Sequence, residues 1–140
     1  MPHPGPIFIV GNARSGTTLL RLMVSCHPAI EIVPECGFAL WLYDTYSDWS
    51  WSPERLTKRF LPDLFTCRKF NTWNVPEDAL AAYLLAKRPH SYQELIGAVC
   101  EFYAASRGKQ IRRWGDKNTF YIKRIREILD IFPDAQILHI

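Results

Sequence analysis

Apolar and polar positions along this chain alternate between short apolar runs and longer stretches of helical period. Ile7–Val10 is an unbroken apolar run, β-branched and aromatic, stopped by Gly11. It predicts a buried strand. Thr17–Ser25 then places Leu19, Leu20, Met23 and Val24 on one helical face, and His27-Pro28 ends the helix. Ile30–Val33 is a second apolar run, closed by Pro34. Strand, helix and short strand in that order predict a βαβ unit.

The middle of the chain is mostly helical in period. Gly37–Tyr46 is aromatic and predicts a helix, and Ser52-Pro53-Glu54 carries a helix start with proline in the first turn. Trp51–Trp73 predicts a short helix and a loop. Pro76–Lys87 opens with acids in its first turn. Ser91 and Glu94 match a capping box and Gly108 the matching stop, so Tyr92–Arg107 is a helix. Gln110–Trp114 predicts a strand. Thr119–Phe132 repeats apolar residues at Tyr121, Ile122, Ile125, Ile128, Leu129 and Phe132, a helical period ended by Pro133. Ala135–Ile140 predicts another buried strand. Strands separated by helices imply an α/β fold: a mostly parallel sheet flanked by helices in three layers. Residues 1–140 read as one domain, and a final strand of interior character gives the expectation that the domain continues past Ile140.

Composition narrows the class. The chain is 48% hydrophobic and 14% aromatic, enough for a real core and unlike a disordered segment. A net charge of +3 without a run of five like charges gives no footprint for nucleic acid. Cys26, Cys36, Cys67 and Cys100 form no CxxC pair and no zinc spacing. They read as buried free thiols of a reducing compartment, and no metal site is expected. The amino terminus lacks a positively charged region, so it is not a secretory signal, and no stretch approaches the ~20 apolar residues of a membrane helix. The expectation is a cytoplasmic protein without a transmembrane segment.

The stretch GNARSGTTLL, Gly11 to Leu20, carries the chemistry. A phosphate-binding loop reads GxxxxGK[ST] between a strand and a helix. Gly11 and Gly16 have that spacing, Thr18 takes the hydroxyl position, and Thr17 stands where the lysine belongs. Gly16 lets the backbone curl, and the amides of Ser15 to Thr18 form a nest for a phosphate or a sulfate-bearing group at a helix N-terminus. Without the lysine the loop does not suit an ATPase or GTPase, which clamp the β- and γ-phosphates with lysine and Mg²⁺. Arg14 is the nearest replacement cation, a fork-shaped partner for a tetrahedral oxyanion.

Strand ends place further residues at this loop. A first helix of about ten residues runs ~15 Å away from the anion. The strand Ile30–Val33 with its flanks returns ~13–16 Å, so Glu35 comes back level with the loop. Gly115–Asn118, after the strand Gln110–Trp114, lands on the same carboxyl edge, where α/β folds bind ligands. By position alone Glu35 is either a solvated loop carboxylate or a base. Lys117 sits near a helix start, where a cation is poorly placed. It is a candidate to neutralise a leaving oxygen. Asp116 and Asn118 read as caps for the helix at Thr119, and His27 as a structural cap. Arg21 is open between ligand and solvent. Trp41, Trp49, Trp51 and Trp73 read as core before acceptor wall.

FIVGNARSGTTLLRLMVSCHPAI resembles the opening of the sulfotransferases that use 3′-phosphoadenosine 5′-phosphosulfate (PAPS). WGDKN, Trp114 to Asn118, resembles a second segment of that family, and FPDAQILHI the strand leading to its 3′-phosphate loop. The resemblance implies a P-loop-like fold and sulfuryl transfer from PAPS to a hydroxyl or amine, without a metal. It implies that Arg14, Ser15, Gly16, Thr17 and Thr18 hold the 5′-phosphosulfate and that Glu35 is the base; Lys117, with the loop amides, is expected to stabilise charge on the departing phosphate oxygen, and Arg14 is counted with Glu35 and Lys117 among the catalytic residues. The 3′-phosphate loop is expected after Ile140. The acceptor stays open between small molecule, carbohydrate, lipid and peptide, and so does the oligomeric state. A nucleotide kinase-like phosphotransferase and a non-catalytic nucleotide-binding fragment are the alternatives.

Overall fold

The computed structural model describes residues 4–140; the start of the segment read above for a secretory signal, residues 1–3, lies outside them. Strands β1 (Ile7–Val10), β2 (Ile30–Ile32), β3 (Arg113–Lys117) and β4 (Gln136–His139) form one sheet in the order β2-β3-β1-β4. All three pairings are parallel, with Ile7 opposite Gly115 and Gln136, and Ile32 also opposite Gly115. The expected βαβ unit is present, but β3 lies between its two strands.

Strand alternation sorts β1 between two cores. Ile7 and Ile9 face the same side as Ile32, where Leu20 and Val24 of α1 (Thr17–Ser25) pack on them. Phe8 and Val10 face the larger, aromatic core. There Phe8 meets Trp114, Tyr121 and Phe132 at ring distances of 5.8, 5.7 and 5.4 Å. The sheet is therefore covered on both faces, as its unbroken apolar strand requires.

Between β2 and β3 the regular elements are all helical. Two short turns, α2 (Phe38–Trp41) and α3 (Tyr43–Tyr46), replace the single helix expected there. The segment expected to be a short helix and a loop is helical over Pro53–Thr66: α4 (Pro53–Arg55), a wide turn at Leu56–Phe60, and α5 (Leu61–Thr66). Ser52 Oγ accepts from the Arg55 amide and starts it. Pro62 has no N–H for the helical ladder, and next to it the Leu61 amide reaches five residues back, to the Leu56 carbonyl. After a tight turn at Phe70–Trp73 come α6 (Glu77–Lys87) and α7 (Tyr92–Ser106). Ser91 Oγ accepts from the Glu94 amide, while the Glu94 carboxylate accepts from His90 rather than from Ser91, a capping box displaced by one residue.

Three further expectations need correction. The third strand is Arg113–Lys117 rather than Gln110–Trp114. Gly115 decides the shift: a Cβ there would run into the Ile32 side chain and the Ile7 carbonyl, so only glycine lets β3 sit between its neighbours. The long helix over Thr119–Phe132 is a tight turn (Thr119–Lys123) followed by α8 (Ile125–Ile131). Asn118 Oδ1 accepts from the Phe120 amide and Arg124 N–H bonds Tyr121 three residues back, which winds that first turn too tightly to continue. Among the described residues strand β4 pairs with β1 alone and lies at the sheet edge, with Leu138 36% exposed, instead of being buried. No helix among the described residues is long and apolar enough to cross a membrane.

Candidate functional site

The loop between β1 and α1 is the first component. Gly16 stands at the head of α1 with φ 96°, the left-handed region that favours glycine. No side chain caps the helix there. Among the described residues nothing accepts from the amides of Gly16, Thr17, Thr18 or Leu19, so they remain available to an anion. Ser15 differs from the expectation. Its amide bonds the Asn12 carbonyl at 3.2 Å and its hydroxyl the same oxygen at 2.5 Å, so both donors hold the loop's own turn. Arg14 also has a left-handed backbone, φ 62°, and its side chain stands exposed at the rim. A non-glycine residue in this conformation costs about 1–2 kcal/mol, a strain concentrated at binding loops.

The second component arrives from β2. The Val33 amide still pairs with Gly115 at 2.9 Å, and Pro34 then turns the chain so that Glu35 lies at the carboxyl edge of the sheet. Arg21, open in the sequence, fixes this exit: its Nε donates to the carbonyls of Ile32 and Val33 at 2.9 and 3.1 Å. It ties α1 to β2 and is structural. His27 is structural too, its Nδ1 accepting from the Ala29 amide at 3.1 Å.

The last residue of β3 joins these two. Lys117 is 6% exposed, and its Nζ lies 2.7 Å from Glu35 Oε2 and 3.1 Å from Thr18 Oγ1. A lysine absent from the phosphate loop thus reaches it from a neighbouring strand. Glu35 Oε1 pairs with Lys69, a residue that no motif in the sequence marks. Only the fold brings it there: Lys69 lies in the turn after α5, 34 residues away. Burial pushes the Glu35 carboxyl up, but the hydrogen bonds and charges of Lys117 and Lys69 together hold it below the usual glutamate value. Ala13, Arg14, Gly16, Thr17, Thr18, Lys117 and Thr119 line an open cavity of about 480 Å³.

Asp116 does not cap the next helix as expected. It is fully buried, accepting from the Lys117 amide at 2.7 Å and from the Tyr121 hydroxyl at 2.5 Å. Burial raises its pKa to about 8, against the opposing pull of those hydrogen bonds. Asn118 does cap, as expected.

Trp73 and Trp49 are core and Trp51 is half-buried, whereas Trp41 is 44% exposed and stacks on Phe120, rings 5.8 Å apart. Cys36 and Cys100 are buried thiols, while Cys26 is exposed instead of buried. Among the described residues no group of three or more His, Cys, Asp or Glu side chains comes together. A larger cleft of about 810 Å³ opens between α7 and the segments preceding β1 and β4, at the opposite edge of the sheet from Glu35 and Lys117.

No match was found among curated proteins. A family model described as the sulfotransferase family matches residues 6–140. That match spans nearly the whole chain, and with a four-stranded parallel sheet flanked by helices and a phosphate-type loop after β1, the chain belongs to the sulfotransferase family.

Proposed function

We propose that this protein transfers a sulfuryl group from PAPS to the hydroxyl or amine of an acceptor. One observation carries the reading: the Glu35–Lys117 pair stands at the mouth of the uncapped loop, with Lys117 also touching Thr18. The residues fit the donor's 5′-phosphosulfate. Free amides at Gly16–Leu19 and the hydroxyls of Thr17 and Thr18 suit a tetrahedral oxyanion, and Arg14 adds a guanidinium at the rim.

Each group then has one task. The amides hold the phosphosulfate in line with the acceptor. Glu35, kept ionised by its lysines, takes the acceptor's proton as its oxygen or nitrogen attacks sulfur. The bond from sulfur to the bridging phosphate oxygen breaks, and Lys117 stabilises the charge left on that oxygen. Lys117 thus holds both the base and the loop.

The test pairs binding with turnover. Calorimetry should detect 3′,5′-ADP, and radiolabelled sulfur from PAPS should pass to members of a panel of alcohols, phenols and amines. No binding together with no transfer defeats the reading. The kinase-like alternative draws on the loop's spacing, but Thr17 stands in place of the lysine that would bridge ATP phosphates. Affinity for ATP that requires Mg²⁺ would favour it instead.

A further inference from the structure

Glu35 presents two carboxylate oxygens, and they are not equivalent. Oε2 faces Lys117, whose side chain is 7% exposed, whereas Oε1 faces Lys69, whose side chain is 45% exposed. An acceptor entering from solvent meets the Lys69 side. Oε1, the oxygen on that side, is the one that Lys69 holds.

The turn carrying Lys69 is fixed in place. Lys69 has a left-handed backbone, φ 71°, uncommon for a residue with a side chain. Thr72 donates to the Lys69 carbonyl through its amide at 3.0 Å and its hydroxyl at 2.6 Å, and the Cys36 thiol donates to the Arg68 carbonyl at 3.3 Å. The residue next to Glu35 thereby ties the turn down. A long, half-exposed ammonium on a fixed backbone can pivot without moving the fold. Arg68, beside it, is exposed as well.

We propose that Lys69 is the acceptor-recognition lysine and that the acceptor carries an anionic group, a carboxylate in the simplest case, near the hydroxyl it presents. This rests on the sulfuryl-transfer reading above. On binding, the acceptor's anion draws the Lys69 ammonium from Glu35 Oε1. The acceptor O–H takes its place, and Glu35 is left with Lys117 as its one cation. The proton then passes to Oε1 as the acceptor oxygen bonds to sulfur, while the bond from sulfur to the phosphate oxygen breaks and that oxygen keeps the electron pair. A neutral acceptor leaves Lys69 on the base and reacts slowly.

The experiment uses isosteric pairs that differ in charge: 4-hydroxyphenylacetate against 4-hydroxyphenylacetamide, and lactate against lactamide. Transfer from radiolabelled PAPS is followed for the wild type, Lys69→Met and Lys69→Arg, with 3′,5′-ADP affinity measured on each. The wild type should favour the carboxylates about tenfold in kcat/KM, an ordinary worth for a charge-assisted contact. Lys69→Met should bring the ratio near one and Lys69→Arg should keep it, all three binding 3′,5′-ADP alike, which also reports on folding. A wild type indifferent to charge, or a preference that survives in Lys69→Met, overturns the proposal. Failure of all three proteins to bind 3′,5′-ADP overturns the sulfuryl-transfer reading and this one with it, whereas normal binding with no charge preference overturns this one alone.

Discussion

Lys117 Nζ bridges Glu35 Oε2, at 2.7 Å, and Thr18 Oγ1, at 3.1 Å, and so joins three strand ends through a single ammonium. Glu35 follows β2, Thr18 lies in the first turn of α1 after β1, and Lys117 ends β3. The parallel order places those ends on one edge, and Lys117 has enough length to span them.

Glu35→Gln separates chemistry from binding. Glutamine keeps the shape but cannot take a proton. Turnover should fall by roughly 10²–10⁴, the usual worth of a general base. Affinity for 3′,5′-ADP should hold within about threefold, since Glu35 makes no contact with the loop amides. Initial rates with radiolabelled PAPS beside calorimetry check both, and equal loss of the two would contradict the role.

The acid limb of the rate profile should lie low. The hydrogen bonds and charges of the two lysines hold the Glu35 carboxyl below its ordinary value, so the base stays ionised to lower pH than a free glutamate and the acid limb is displaced downward. Lys117→Met removes one of the two ammonium groups that favour the ionised carboxylate, with its hydrogen bond to Oε2, and should move the limb upward. A limb that stays in place, read from kcat/KM against pH, would separate the lysine from the base.

Arg14 carries a strain that its side chain must justify. Arg14→Gly removes the guanidinium and relieves a left-handed backbone worth about 1–2 kcal/mol. Thermal unfolding should therefore occur no lower than in the wild type, while PAPS affinity falls about tenfold or more. A fall in the melting midpoint with affinity intact would show that the arginine holds the loop rather than the ligand.

Local signals made the loop, β1, α1 and the cap of α7 readable from the chain. Gly11 and Gly16 are separated by a fixed interval, and Ser91 sits three residues from Glu94. What depends on distant partners was not readable. Trp114 to Lys117 reads poorly as strand, because glycine, aspartate and lysine disfavour extended structure, and it is paired only because β1 and β2 flank it. The apolar face expected on α1 is half realised: Leu20 and Val24 pack on the sheet, while Leu19 and Met23 stay 63% and 62% exposed. Lys69 meets Glu35 across a helical segment that nothing in its own neighbourhood announces.

Gly115→Ala tests how the sheet positions the site. The added methyl meets the Ile7 carbonyl as well as the Ile32 side chain, and a backbone atom in a parallel ladder cannot swing aside. Overpacking of this kind costs about 1–3 kcal/mol. Because Lys117 is two residues further along the same strand, turnover should fall beyond the loss of stability. Chemical denaturation gives the first effect, and rates measured well below the unfolding midpoint give the second.

Asp116 makes stability depend on pH in a direction opposite to most carboxylates. Its pKa is raised by burial from 3.8 to about 8, so the folded protein keeps a proton that the unfolded chain releases. The associated stability is fully present below 3.8 and is lost as pH rises towards 8, at up to about 1.4 kcal/mol per unit in between. Asp116→Asn mimics the protonated form. Its amide oxygen still accepts from Lys117 N–H, and its NH₂ turns towards the Tyr121 oxygen. Unfolding free energies at pH 5, 6, 7 and 8 should decline in the wild type, and Asp116→Asn should flatten that decline. A parallel decline in both proteins would mean that Asp116 is ionised in the fold, held by Tyr121 and the Lys117 amide strongly enough to outweigh its burial.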